Sequence, residues 1–176
     1  MELTIRDVAS ADVPAITAIY AAEVRDHVNT YEYDVPDEAG MSRRVRGVLD
    51  AGYPYLAAEH EGRLVGYAYA NSYRARIGYR FTVENSVYVV AGQQGHGIGA
   101  ALLERLIAEC ERRGYRQMVA VIGEPNNTAS IRLHEKFGFR LVGVFRGIAW
   151  KHGRWLDTVQ MQRTLSAGNA DAPHDE

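Results

Sequence analysis

The chain has 176 residues, 47% hydrophobic and 24% charged, which suits a single compact domain with its own core. A formal net charge of -2 gives no general attraction to phosphate polymers or anionic lipid, so the composition argues against a nucleic-acid partner. The one cysteine, Cys110, excludes an intrachain disulfide and a thiolate metal cluster and points to a reducing compartment, the cytoplasm.

The opening stretch MELTIRDVASADV is polar and partly acidic, and no segment reaches the roughly 20 apolar residues that a membrane span needs, so no membrane partner is expected. Residues 3–6 read as a short strand. The apolar positions Val13, Ile16, Ile19 and Tyr20 then recur at helical spacing, with Ser10 or Asp12 as a cap. Residues 27–37 form a polar loop holding Tyr31 and Tyr33, residues 38–49 a second helix, and Gly52 its stop.

Residues 55–59 and 64–73 read as antiparallel strands around the tight turn Glu61-Gly62. A basic, aromatic segment at 74–80 leads to residues 82–90, whose β-branched side chains mark a central strand. From Gly97 the pattern turns helical, with Leu102, Leu103, Leu106, Ile107 and Cys110 on one stripe and Gly114 as the stop. Residues 117–122 are a buried strand, 128–137 a short helix closed by Gly138, and 139–146 and 155–162 the last strands. Residues 166–176 are small and polar and read as a disordered tail, leaving 1–165 as one domain. This order implies an α/β layer sandwich on a mixed sheet.

Gln94-Gly95-His96-Gly97-Ile98-Gly99-Ala100 joins the central strand to an amphipathic helix, where backbone N–H groups and the helix dipole converge on an anion. By itself such a turn is equally a flexible connection. A P-loop requires a Lys-Ser/Thr pair after its last glycine, and none is present. A dinucleotide fingerprint belongs to the first strand-helix unit of a domain, whereas this turn lies past mid-chain.

The segment Val87-Tyr88-Val89 followed by Gln94-x-x-Gly97-x-Gly99 resembles motif A of the GNAT acetyltransferases, and the likeness runs over nearly the whole chain. The ordered stretches TVENSVYV, QGHGIGAALL, VAVIGEPNNTASIRLHEKFGF and KHGRWLDTVQMQ are most similar to the phosphinothricin and methionine sulfoximine acetyltransferase group. The resemblance implies the GNAT fold, a central mixed, mostly antiparallel sheet flanked by helices. It also implies acetyl-CoA as co-substrate, no metal, and acetyl transfer to the amine of a small amino-acid analogue.

Within that resemblance the amides of Gln94, Gly95, His96, Gly97, Ile98, Gly99 and Ala100 would hold the pyrophosphate of the coenzyme. The family often has arginine where Gln94 and His96 stand, which leaves the amides with more of the work. The backbone of Val87, Tyr88 and Val89 would pair with the pantetheine arm. Asn127 would touch the thiol side, and from its place in the chain it is also a helix cap.

Acetyl transfer to an amine needs a neutral nitrogen and a proton for the departing thiolate. Glu84 stands in the otherwise apolar strand TVENSVYV, where burial would raise its pKa into a useful range. The resemblance gives it the part of general base, against the alternative of a carboxylate on an exposed strand face. His134 stands where many GNAT enzymes carry a proton-donating tyrosine, and a packing histidine is the alternative.

Arg74, Arg76 and Tyr79 cluster shortly before Glu84 and suit an acceptor carboxylate, sulfoximine or phosphinate, or else a solvated basic loop. Lys151 is a further substrate or partner-subunit contact. The resemblance implies a homodimer, with Trp150, Trp155 and the last strands as interface material. Two rival readings are an enzyme acting on peptide amino termini and a non-catalytic CoA sensor.

Overall fold

The computed structural model describes residues 2–173. The chain opens on β1 (Thr4–Asp7), makes a 3-10 turn at Ser10–Asp12, and continues into α1 (Val13–Asp26) and α2 (Glu38–Asp50). β2 (Tyr55–His60), β3 (Arg63–Ser72) and β4 (Thr82–Val89) follow. The second half runs α3 (Ile98–Arg112), β5 (Gln117–Gly123), α4 (Thr128–Lys136), β6 (Arg140–Lys151) and β7 (Arg154–Thr164). The strands form one seven-stranded sheet in the order β1-β2-β3-β4-β5-β7-β6. Every neighbouring pair is antiparallel except β4 with β5, so the sheet is mixed and mostly antiparallel, with helices on both faces.

The alternation of side chains along β2 and β3 sorts the two layers. Tyr55 and Tyr67 pack with Val13, Ile16 and Val24 of α1 and with Met41 and Val45 of α2. Leu56, Ala58, Ala68 and Ala70 point to the other face, under Leu102, Leu103 and Leu106 of α3. Each of those fully buried leucines contributes about 1.5–3 kcal/mol. Small residues let α3 lie close. A Cβ at Gly66 would stand 3.1 Å from Ile98 Cγ2 and 3.2 Å from Leu102 Cδ1, so only glycine fits there.

The turn between β2 and β3 has positive φ at both Glu61 (50°) and Gly62 (72°), the geometry that matches strand twist in a two-residue hairpin. Asp12 does not cap the free amides of α1. Its carboxylate accepts the Ala9 N–H at 2.7 Å and the two terminal guanidinium N–H groups of Arg6 at 2.7 and 2.8 Å, tying β1 to the start of the helix.

The final hairpin is longer than its sequence suggests. The sequence reading ends this strand at Arg146, but Gly147 sits at φ 55° in an irregularity between Phe145 and Ala149, and pairing with β7 resumes to Lys151. The tail reading falls partly outside the described residues, since 174–176 are not among them. Within 166–173, Gly168 N–H donates to Leu165 O at 2.8 Å and Asp171 pairs with Arg116 at 2.7 Å. Among the described residues no helix is long and apolar enough to cross a membrane.

Candidate active site

The site follows from one break in the sheet. The parallel ladder between β4 and β5 runs only from Thr82 opposite Gln117 to Asn85 opposite Ala120. On its other side β4 stays paired with β3 as far as Val89, and β5 stays paired with β7 as far as Gly123. Beyond Asn85 the two strands therefore part, and a cavity of about 610 Å³ opens between them. Val87, Tyr88 and Val89 form one wall; Ala120, Val121 and Ile122 form the other.

The glycine-rich turn closes one end. Gly95 and Gly97 have φ near +82° and +83°, and a Cβ on either would meet nothing within 4 Å. Glycine is required there by backbone conformation and leaves the cradle open. The first bond of α3 is Ala101 N–H to Gly97 O at 3.0 Å, so the amides of Ile98, Gly99 and Ala100 have no partner within the helix. All three residues line the cavity, with Gln94, Gly95 and Gly97 beside them. His96 does not; its ring stands 3.3 Å from the Gln93 carbonyl.

Glu84 lines the opposite end, next to Tyr69 and Ser86. Burial alone pushes its carboxyl above the usual carboxylate range, since no charge contributes to the shift. Side chains alternate along β4, so Glu84 and Tyr88 face α1 and α2, where Tyr88 stacks on Tyr67 at 5.0 Å and meets Tyr20 edge-on at 5.8 Å. Asn85 faces the other way, toward α4.

His134 is 4% exposed on α4 and reaches the cavity from that second face. Its Nδ1 lies 2.7 Å from the Ser130 carbonyl of its own helix, and its Nε2 lies 3.0 Å from Asn85 Oδ1. Burial pulls the ring pKa below its ordinary value, and the Ser130 hydrogen bond opposes this. The carboxylate and the imidazole thus enter one cavity from opposite faces of the sheet, because the strands part between them. Asn127 both lines the cavity and caps α4, accepting Ser130 N–H at 3.2 Å while its Nδ2 donates to Asn29 at 3.0 Å.

Arg74, Arg76, Tyr79 and Lys151 lie outside the cavity wall. The first three are exposed in the connection from β3 to β4, which begins at the Glu84 end of the ladder because Asn71 is paired with Glu84. Arg74 stacks there over Tyr73 at 5.2 Å and Tyr79 at 5.9 Å. Lys151 is 2% exposed, and its ammonium donates to the carbonyls of His27 at 2.8 Å and Thr30 at 2.7 Å. Those bonds hold the loop after α1, whose Asn29, Thr30 and Tyr31 line the cavity together with Glu23.

Glu23, Asn29, Thr30 and Asn85 were not singled out by the sequence reading. Only Asn85 carried a usable signal, as a lone amide on the strand face opposite Glu84. The loop residues are brought in by Lys151 and by a close crossing over Gly123, where any Cβ would overlap the Val28 carbonyl oxygen. Among the described residues no cluster of His, Cys, Asp or Glu could hold a metal ion.

A sheet split at its single parallel joint, with a glycine-turned helix start at one end of the split, defines the class: residues 14–139 match the Acetyltransferase (GNAT) family, and the chain belongs to it. It is 50% identical to phosphinothricin N-acetyltransferase of Alcaligenes faecalis, over 97% of this chain and 86% of that protein. It is 40% identical to L-methionine sulfoximine/L-methionine sulfone acetyltransferase of Salmonella typhimurium, over 93% of this chain and 95% of the relative. Among solved structures, a phosphinothricin acetyltransferase from Sinorhizobium meliloti in complex with AcCoA superposes with a TM-score of 0.96 at 45% identity, covering 99% of this chain and 95% of that one.

Proposed function

We propose that this enzyme transfers the acetyl group of acetyl-CoA to the amino group of a small amino-acid analogue such as phosphinothricin, methionine sulfoximine or methionine sulfone. The observation that carries the reading is the continuity of the cavity, which joins the free amides at the start of α3 to the half-buried carboxyl of Glu84. The residues present fit the coenzyme. Open glycine positions and unpartnered amides suit a pyrophosphate, and the unladdered edge of β4 at Val87, Tyr88 and Val89 suits the amides of a pantetheine arm.

Bound acetyl-CoA supplies a thioester carbonyl activated toward an amine. Gln94, Gly95, Gly97, Ile98, Gly99 and Ala100 hold its phosphates through the main chain, with His96 at the outer edge of the turn. A backbone N–H of the 87–89 edge donates to the carbonyl oxygen as negative charge gathers there. Asn127 fixes the start of α4 beside the thiol end.

Glu84 accepts the amine proton, directly or through water, so the nitrogen lone pair is free to form the new C–N bond. As the C–S bond breaks, its electron pair leaves on sulfur, and His134 gives that sulfur a proton. One proton enters Glu84 and one leaves His134, and both groups reset by exchange with solvent. The acceptor end combines Glu23, Asn29, Thr30 and Tyr31 with Tyr69. Arg74, Arg76 and Tyr79 draw an anionic acceptor toward the mouth from the rim. Lys151 acts on the acceptor through the loop that it anchors.

We further place the enzyme in the cytoplasm as a homodimer. Its one cysteine is buried, with the thiol pushed up to about 12 by burial, as suits a protein that makes no disulfide. β6 is an edge strand that exposes Leu141, Val142, Phe145, Ile148 and Trp150, with Trp155 beside them on β7, an apolar surface that a second copy would cover. The test of the function is thiol release from acetyl-CoA across phosphinothricin, methionine sulfoximine, methionine sulfone, the common amino acids and a short peptide. Release with the peptide alone, or with none of them, would overturn the reading.

A further inference from the structure

The hydrogen bonds around His134 fix more than its position. A backbone carbonyl can only accept, so Nδ1, which faces the Ser130 carbonyl, must carry a proton. Asn85 spends its amide nitrogen on the Val119 carbonyl at 3.2 Å, which leaves its oxygen facing Nε2 at 3.0 Å. That oxygen also can only accept, so Nε2 must carry a proton as well. Turning the Asn85 amide over would set its oxygen against the Val119 oxygen and lose that bond, with the amide nitrogen then facing Nε2 as a donor. The arrangement that keeps the Val119 bond is therefore satisfied by the imidazolium form and by no neutral tautomer.

We propose that Asn85 is a positioning residue that keeps His134 doubly protonated, with the Nε2 proton held at the point where β4 and β5 part. The proposal rests on the acetyl-transfer reading, in which His134 supplies the thiolate proton. Asn85 is the last residue of β4 paired with β5, so the strand that opens the cavity also carries the group that charges the acid.

The surroundings supply no rival source of charge. From its own helix the ring meets Ser130, from β4 it meets Asn85, and just ahead of β6 the Phe139 ring stands edge-on at 4.9 Å. Glu84 shares the cavity from the other face of β4, and no charged neighbour contributes to the ring's titration. Burial disfavours the imidazolium and the Ser130 hydrogen bond opposes burial, while the Asn85 oxygen faces Nε2 as a second acceptor. When the Nε2–H bond breaks and an S–H bond forms, the ring is left neutral with its Nε2 lone pair against the Asn85 oxygen. That repulsion favours recovery of a proton from solvent before the next turnover.

The test is a titration of the ring nitrogens in the free enzyme by NMR with ¹⁵N-histidine, His134→Gln assigning the signal, for wild type, Asn85→Leu and Asn85→Asp. The midpoint of His134 should fall in N85L, which removes the acceptor, and rise in N85D, which adds a negative one. The alkaline limb of kcat should move with each midpoint, and N85L should lose about 10-fold in kcat near neutral pH. A neutral wild-type ring bearing only the Nδ1 proton at pH 7, or midpoints that move in neither variant, would overturn the proposal. Asn85→Asp keeps the shape of the side chain, so if N85L does not fold, an unmoved or lowered midpoint in N85D overturns it alone. Absence of acetyl transfer by the wild-type enzyme would instead sink the functional reading and leave the titration standing.

Discussion

Replacing Glu84 with Gln removes one proton-accepting oxygen and almost no volume, so the cavity wall should keep its shape. The groups proposed to hold acetyl-CoA lie at the other end of the cavity, on the glycine turn and the start of α3, and its affinity should be unchanged. Turnover near neutral pH should fall by about 100- to 10,000-fold, a barrier increase of about 2.7–5.4 kcal/mol. Part of that loss is recoverable. An acceptor amine titrating near pH 8 is about one-tenth neutral at pH 7 and about nine-tenths neutral at pH 9, so the deficit should shrink about 9-fold over that interval.

Burial raises the folded-state pKa of Glu84 above its unfolded value, so the folded protein binds the extra proton. Stability attached to this group is present below the unfolded pKa and is lost as pH rises through the folded one. At pH 7–8 the Gln variant is spared the cost of burying a charge and should melt at a higher temperature than wild type. The assays are thiol release against pH and thermal melting at two pH values. Wild type should show an acid limb above the ordinary carboxylate range, as the base protonates, and the variant should lack it. Unchanged turnover, or a deficit equally large at pH 7 and pH 9, would refute the assignment of Glu84 as the base.

Gly97→Ala forces a side chain into the left-handed region at a cost of about 1–2 kcal/mol and should raise the acetyl-CoA KM with little change in acceptor KM, as measured by two-substrate kinetics. Lys151→Met strands the carbonyls of His27 and Thr30, which should destabilise the fold by about 1.5–3 kcal/mol in urea melts and raise the acceptor KM as the loop loosens. Arg76→Ala should raise the acceptor KM more than the acetyl-CoA KM, and equal effects on both would separate this arginine from acceptor recruitment. Trp155→Glu places a charge on the exposed apolar edge and should convert the proposed dimer to monomer by light scattering without altering the fold.

The features that could be read from the sequence are those whose cause is local. The Glu61-Gly62 hairpin, the helix stops at Gly114 and Gly138 and the glycine turn before α3 each depend on the φ of one or two residues, and all stand where the letters put them. Asn127 is similar, since a cap is decided within a few residues. Lys151 is different. The sequence reads it as a substrate or partner-subunit contact, whereas a loop more than a hundred positions earlier buries its ammonium. The pairing of Asn85 with His134 joins a strand to a helix across the end of β5, so neither residue announces it. The strand read as 139–146 runs on past Gly147 for a related reason, because a glycine within a paired strand marks a bulge that only the partner strand reveals.

A sheet that zipped β4 to β5 along their full length would satisfy more of its main chain and would be the sturdier fold. The four paired positions from Thr82 to Asn85 stop short of that arrangement, and past them the two strands do not pair with each other. Substitutions that extend this seam should therefore yield a tougher protein that has lost its substrate channel. In the proposed function, the chain's own backbone is the competitor that an incoming coenzyme arm must be spared, and unfinished strand pairing is how it is spared.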